Sequence, residues 1–369
     1  MSGLDHAHFM GLALQLVDQA EHRTSPNPIV GCVVVRESEV VGRGVTQPYG
    51  RSHAEVMALK DAGPAAQGAT MYVTLEPCCH HGRTGPCTDA IIAAGVKQVY
   101  VGVIDPNPLV RGRGLALLKA AGIECEAGVL GPECERHHAP FTKYITHKRP
   151  WVTLKAGMTL DGQIATPTGD SKWITGVDAR RDVHRLRAKY DGVLVGANTV
   201  KLDNPQLTVR HCPGDDPTKI VLSTLADISA TAAVLGPGTL VYVADDAPAE
   251  NVLSIERTGA EVIHIARDRQ QRVSLDDVLD DLARRGIVRL LVEGGGEVHR
   301  SLIEQRLADE LCLYIAPKLL GLGRPAFPLK SPSKIDQALV LATPLVKMIG
   351  QDLQIRSAIQ YPADLENDG

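Results

Sequence analysis

The chain has 369 residues, 44% hydrophobic and 22% charged, enough for two or three globular domains with ordinary cores. Its net charge of −4 argues against a broad nucleic-acid footprint. The lack of any long apolar run, or of a basic start followed by an apolar segment, argues against a membrane span or export, so a cytoplasmic location is expected. Eight cysteines in such a chain, two of them adjacent, read as reduced thiols with some committed to metal.

Between Asp5 and Ala20, the positions Phe9, Leu12, Ala13, Leu16 and Val17 share one helical face. Pro26-Asn27-Pro28 then turns the chain into an apolar strand, Ile29 to Arg36, and a second strand runs from Val40 to Gly44. Asn27 has two readings: a turn residue between prolines, or an amide that hydrogen-bonds a pyrimidine edge. A helix from His53 to Lys60 is expected to turn Val56 and Leu59 inward and to place His53 at its first turn. Strands at Met71–Leu75 and Val99–Ile104, a helix around Ile91 and Ile92 stopped by Gly95, a helix from Leu115 to Ala121 and a strand from Ile123 to Val129 complete an alternating pattern. That alternation predicts an α/β layer structure with a largely parallel sheet.

The chemistry of this half lies in His53-Ala54-Glu55, Glu76-Pro77-Cys78-Cys79 and Pro86-Cys87. One imidazole and two thiolates can hold Zn²⁺ through three protein ligands and leave the fourth tetrahedral position to water. Glu55 is not needed for the shell, and a carboxylate so placed can move a proton from that water to a leaving amine. His53, Cys78 and Cys87 are therefore the expected metal ligands and Glu55 the expected catalytic residue. The competing reading is a structural zinc closed by Cys79, His80 or His81. The compact C-x-x-C spacing is absent, since eight residues separate Cys78 from Cys87.

Gly131 to Pro150 shows no strand alternation, and the domain boundary is expected near His147 to Pro150. Beyond it the pattern restarts with a strand from Trp151 to Ala156 and a turn over Met158–Gly162. Thr175-Gly-Val-Asp178 has the form of a capping box opening a helix through Lys189. On that helix Arg180, His184 and Arg187 form a basic stripe, either a solvated face or a phosphate site. A strand at Gly192–Gly196, a polar loop from Asn198 to Arg210, strands at Lys219–Ser223, Thr239–Ala244 and Glu261–Ile265, and a helix at Leu275–Arg285 follow. The strand Val288–Val292 then leads into Glu293-Gly294-Gly295-Gly296, with a helix from Leu302 to Leu307. Strand, glycine run and helix can present backbone N–H groups to a pyrophosphate, although the run could also be a tight turn.

With both halves read, the chain resembles the bifunctional deaminase–reductases of riboflavin biosynthesis. The likeness rests on Pro26-Asn-Pro-Ile-Val-Gly31, His53-Ala-Glu55, Glu76-Pro-Cys78, His80-His-Gly-Arg-Thr-Gly-Pro-Cys87, Lys155-Ala-Gly-Met-Thr-Leu-Asp-Gly162, Ser171-Lys-Trp-Ile-Thr175, Asp203-Asn-Pro-Gln-Leu-Thr-Val-Arg210 and Glu293-Gly-Gly-Gly296. Gly85 departs from the family's usual Pro-Pro before the last cysteine. The resemblance implies a cytidine-deaminase-like three-layer α/β/α domain over residues 1–147 and a dihydrofolate-reductase-like doubly wound α/β domain over 148–369. It further implies zinc-dependent deamination of a diaminopyrimidinone ribosyl phosphate, then NADPH-dependent reduction of the ribosyl group to ribityl. By the same resemblance Asn27, Lys155, Ser171, Arg187, Leu207, Arg210 and Glu293 would touch substrate. Gly157, Trp173, Thr199, Asp203, Ser223, Gly294, Gly295 and Gly296 would touch NADPH.

Arg187 and Arg210 suit a ribose phosphate because guanidinium binds phosphate in a fork. Glu293, Asp203 and Lys155 are alternative proton donors for the reduction, and no residue declares itself a 2′-phosphate clamp. The expected partner is a small phosphorylated pyrimidine, with neither nucleic acid nor membrane, and the expected assembly is a homo-oligomer. A nucleic-acid deaminase with a regulatory domain and a zinc-stabilised module that senses NADPH are the competing classes.

Overall fold

In the computed structural model, which describes residues 5–20 and 22–362, the valine run after Gly31 lies in a five-stranded sheet with helices on both faces. The first of two units, Met1–Arg149, contains α1 (His6–Gln19), β1 (Gly31–Arg36), β2 (Glu39–Val45), α2 (Ala54–Ala62), β3 (Thr70–Leu75), α3 (Cys87–Ala93), β4 (Gln98–Val103), α4 (Arg113–Ala120), β5 (Glu124–Ala127) and α5 (Gly131–His147). Strand order is β2-β1-β3-β4-β5. Alternate residues of β1 serve opposite cores: Cys32 and Val34 pack with Ala58, Ile91 and Leu118, whereas Val33 and Val35 pack with Phe9, Met10 and Ala13. Both faces of one strand being buried is the three-layer arrangement.

The sheet is mixed and not largely parallel. β1 runs antiparallel to both neighbours, and only β3, β4 and β5 are parallel. The cause is the turn after β1, where Glu37 and Ser38 take φ of 51° and 68° and fold β2 back as a hairpin. α2 buries Ala54, Glu55, Ala58 and Ala62, not Val56 and Leu59, which are half-buried. Its small residues allow this, because the helix backbone lies directly on Gly42 and Gly44 of β2, where any Cβ would collide with the carbonyls of Ala58 and Ala54. The segment that shows no strand alternation, and for which no element was expected, is the helix α5. Cys134, His138 and Phe141 give it a buried helical face despite Pro140 within it.

The second unit, Pro150–Gly369, contains β6 (Trp151–Thr159), β7 (Gln163–Ala165), α6 (Val177–Lys189), β8 (Gly192–Gly196), α7 (Ala197–Asp203), β9 (Thr218–Leu222), β10 (Thr239–Ala244), α8 (Ala249–Glu256), β11 (Glu261–Ile265), α9 (Leu275–Arg284), β12 (Arg289–Val292), α10 (Gly296–Glu304), β13 (Glu310–Ala316), β14 (Arg324–Pro325), β15 (Val340–Leu341), β16 (Leu345–Ile349) and β17 (Asp352–Gln360). The order β11-β10-β9-β8-β12-β6-β13 is parallel throughout, and β17 then joins antiparallel. Ligands meet such sheets outside the carboxyl ends of the strands.

Four sequence expectations are corrected here. The expected capping box is absent: Gly176 is the N-cap of α6, and its N–H donates to Asp352 Oδ2 at 2.6 Å. The polar stretch after Gly196 is helical through Asp203, since β8 runs straight into α7. α10 starts at Gly296, six residues before the expected Leu302. The stripe on α6 is not solvated, because His184 and Arg187 are buried.

Candidate functional site

α2 and α3 deliver the first cluster. His53 is the N-cap of α2, and Cys87 is the first residue of α3, preceded by Pro86. Cys78 stands in the loop after β3, tied to α3 by the Cys87 N–H, which donates to Cys78 Sγ at 3.4 Å. His53 Nδ1 lies 3.5 Å from Cys78 Sγ and 3.3 Å from Cys87 Sγ. With Zn–S near 2.3 Å and Zn–N near 2.0–2.1 Å, a tetrahedral edge between S and N is about 3.6 Å, so these three atoms fit one zinc ion. Among the described residues no other His, Cys, Asp or Glu joins this group. The neighbouring thiol, Cys79 Sγ, is turned to Leu109 O at 3.7 Å.

The charge pattern also suits a cation. Hydrogen bonding from Cys87, then from His53, draws the Cys78 thiol down to about 4, while the bond to Cys78, followed by burial, holds Cys87 up. The two thiols share one proton site unequally, and a bound cation would favour the thiolate form of both. Glu55 is buried beside them, and desolvation, with Cys78's charge adding, raises it to about 7. Asn27 closes a turn: its N–H donates to Thr24 O at 3.0 Å and its carbonyl accepts from Thr24 Oγ1 at 2.9 Å.

Sequence reasoning quoted Glu76 but gave it no role. Its buried carboxylate accepts from the N–H groups of Asp105 (3.2 Å), Gly112 (2.8 Å) and Leu115 (3.2 Å). It thereby fastens the loop after β4 and the first turn of α4 to the strand end that precedes Cys78. A Glu immediately before Pro-Cys was the available signal.

In the second unit β12 and β6 run in register, with Val292 opposite Leu154, so the next residues, Glu293 and Lys155, meet. Lys155 Nζ stands 3.7 Å from Glu293 Oε2. Arg187 reaches the same carboxylate from α6, Nε donating to Oε1 at 2.6 Å and Nη2 to Oε2 at 3.1 Å, while Nη1 donates to Thr208 O at 3.0 Å. Burial alone would raise the Glu293 carboxyl, but Arg187 and Lys155 outweigh it and bring it down to about 2. The fork of Arg187 thus grips Glu293 instead of lying open to a phosphate, leaving two N–H groups. His184 Nδ1, 3.0 Å from Thr208 O and 3.2 Å from the Arg210 amide, holds the loop that carries buried Leu207 and exposed Arg210.

Two residues on from Glu293 the chain enters the wall of a cavity of about 670 Å³, lined by Ser171, Thr199, Asp203, Ser223, Gly295 and Gly296 among others, but not by Lys155, Arg187 or Glu293. Six of the expected contacts therefore converge, although Ser171 was expected at substrate. Gly157, Trp173 and Gly294 are not among its lining residues; Trp173 is exposed under the Arg180 guanidinium, 4.5 Å from its ring centroid. The volume lies within the range of cofactor sites. At Gly296 a Cβ would come 2.8 Å from Pro325 O, so only glycine lets the chain pass there. The Gly295 N–H donates to Thr199 Oγ1 at 3.1 Å, joining α7 to the α10 N-terminus. Lys201, Thr224, Asp227, Arg272 and Arg324 also line the cavity, and sequence reasoning missed all five. His299 is structural: buried, its ring nitrogens facing Ala326 O and Val292 O, it is lowered to about 4 by desolvation.

The profile of the cytidine and deoxycytidylate deaminase zinc-binding region matches residues 4–103, and that of the RibD C-terminal domain matches residues 150–355. The riboflavin biosynthesis protein RibD of Aquifex aeolicus is 41% identical over 353 residues, covering 94% of this chain and 97% of that one. The Escherichia coli RibD is 39% identical over 328 residues, covering 85% and 88%. Among solved structures, Acinetobacter baumannii RibD superposes with a TM-score of 0.82 at 36% identity, covering 96% of this chain and 99% of that one. A diaminohydroxyphosphoribosylaminopyrimidine deaminase/5-amino-6-(5-phosphoribosylamino)uracil reductase from Thermotoga maritima gives 0.82 at 35% identity, with the same coverage.

Proposed function

The chain belongs to the RibD family of bifunctional riboflavin-biosynthesis enzymes, and from that membership we propose which residues carry each activity. It is a deaminase and a reductase, with Zn²⁺ and NADPH as cofactors. Residues 1–147 carry the deamination of diaminohydroxyphosphoribosylaminopyrimidine, and residues 148–369 reduce 5-amino-6-(5-phosphoribosylamino)uracil to the ribityl product. The separation of two units between Arg149 and Pro150 supports this division.

His53, Cys78 and Cys87 hold the zinc, which when bound lowers the pKa of a coordinated water toward ~7 and so supplies the nucleophile. The Glu55 carboxylate accepts a proton and returns it to the exocyclic amine, so that ammonia departs. Burial of Glu55 on the inner face of α2 keeps bulk water from competing for that proton. Asn27, on the turn before β1, orients the pyrimidine edge.

NADPH, when bound, supplies hydride to the ribose C1. Glu293, ionised at neutral pH, is no proton donor; with Arg187 it fixes the Lys155 ammonium, which gives its proton to the opening ring oxygen. Ser171, Leu207 and Arg210 shape the ribose-phosphate side, with the exposed Arg210 guanidinium meeting the phosphate. Gly294, Gly295, Gly296, Thr199, Asp203 and Ser223 hold the dinucleotide, with Gly157 and Trp173 at its redox end.

Among the described residues no helix is long and apolar enough to cross a membrane. The exposed Leu345, Val346 and Met348 of β16 support a homo-oligomer.

The observation that carries the deaminase assignment is the His53–Cys78–Cys87 cluster beside buried Glu55. The test is Glu55→Gln: zinc content and NADPH consumption with the uracil intermediate are retained, and ammonia release falls by at least about a hundredfold. Undiminished ammonia release in that variant excludes Glu55 as the proton carrier.

A further inference from the structure

Sheet order fixes the direction of the dinucleotide. β6, β12, β8 and β9 are consecutive neighbours. Lys155 lies on β6, Glu293 and Gly295 follow β12, Thr199 follows β8, and Ser223 and Thr224 follow β9. A cofactor with its redox ring at Lys155 and its pyrophosphate on the glycine run therefore has its adenosine end at the loop after β9. Leu222, Leu225, Val273, Leu275 and Val298 line the cavity and offer an apolar slot for adenine.

At that end Lys201 of α7 pairs with Asp227. Ser223 Oγ donates to Asp227 Oδ1 at 3.1 Å, and the Asp227 N–H donates to Ser223 Oγ at 3.2 Å. The other two cations of the cavity have partners away from Asp227. Arg272 Nη1 donates to Ser301 Oγ at 2.8 Å, well along α10, and Arg324 lies on β14 beside Gly169.

Resting on the NADPH reading, we propose that Lys201 is the residue that binds the cofactor's 2′-phosphate, and that Asp227 tempers the preference for it. A carboxylate at the adenosine ribose accepts from a 2′-hydroxyl and repels a 2′-phosphate, whereas a cation does the reverse. Here the two are paired and part-exposed, with side-chain accessibilities of 39% and 45%. Such a pair exchanges partners at small cost, so the Lys201 ammonium can turn from Asp227 to the phosphate.

The test uses the full-length zinc-loaded protein in calorimetric titrations with 2′,5′-ADP and 5′-ADP, and with NADPH and NADH. The unaltered protein is expected to prefer the 2′-phosphorylated member of each pair. Lys201→Met is expected to weaken 2′,5′-ADP and NADPH by about ten- to a hundredfold and to leave 5′-ADP and NADH within about threefold. Asp227→Asn is expected to widen the preference. Unchanged 2′,5′-ADP affinity in Lys201→Met, or a parallel loss of both probes, overturns the proposal. Loss of the preference in Arg272→Ala or Arg324→Ala, with Lys201→Met still selective, does so too, and an unaltered preference in Asp227→Asn removes the carboxylate's part. An unaltered protein that binds neither NADPH nor NADH overturns the cofactor reading itself, and this inference with it.

Discussion

Glu293→Gln separates charge from shape at the centre of the reductase unit. Glutamine keeps the volume and can still accept one hydrogen bond, but it leaves the buried Arg187 guanidinium without a counter-charge. The Glu293 carboxyl is displaced from its ordinary 4.5 to about 2, which at 1.36 kcal/mol per pH unit makes its native interactions worth about 3 kcal/mol. Loss of one partner of a buried pair costs about 3–5 kcal/mol, a compatible figure. Because the folded value is depressed, this contribution is complete above pH ~5 and is lost as pH falls toward ~2. Both tryptophans, Trp151 and Trp173, lie in the second unit, so fluorescence-detected urea unfolding reports on it alone. The variant is expected to lose about 3 kcal/mol at pH 7 and about 2 kcal/mol at pH 3.5. Coincident unfolding curves at pH 7 would refute the claim that Arg187 and Lys155 depend on this carboxylate.

Arg210→Ala should raise KM for the phosphorylated substrate by about tenfold or more, with KM for NADPH little changed, in steady-state assays that vary each in turn. Gly44→Ala inserts a methyl group against the α2 backbone. It should destabilise the first unit by about 1–3 kcal/mol and lower bound zinc, measured by elemental analysis, while NADPH turnover with the uracil intermediate persists. A zinc chelator should abolish ammonia release and spare that same NADPH turnover.

Most strand positions were legible because their burial is written as valine-rich runs, as in Gly31–Arg36 and Gly192–Gly196. The metal cluster was legible because its chemistry is tied to short motifs, and His53, Cys78 and Cys87 do converge. The inner face of α2 was misread because helix contact there depends on glycines in β2, not on the large side chains of α2. α5 was missed because an internal proline and a polar surface hide a face set by Cys134, His138 and Phe141. The basic stripe was ambiguous because the partner of Arg187, Glu293, lies 106 residues away, and only the packing of α6 near the carboxyl end of β12 brings the two charges together. Cavity residues such as Lys201 and Asp227 had no sequence signal, since each is an ordinary surface residue until the strand order gathers them.

The central claim is a zinc held by three side chains with its fourth position open to chemistry. X-ray absorption at the zinc edge of the purified enzyme tests it directly. Two sulfurs, one imidazole nitrogen and one light oxygen per zinc are expected, unchanged in Glu55→Gln. A third sulfur, a second imidazole, or a protein that deaminates without zinc would contradict it.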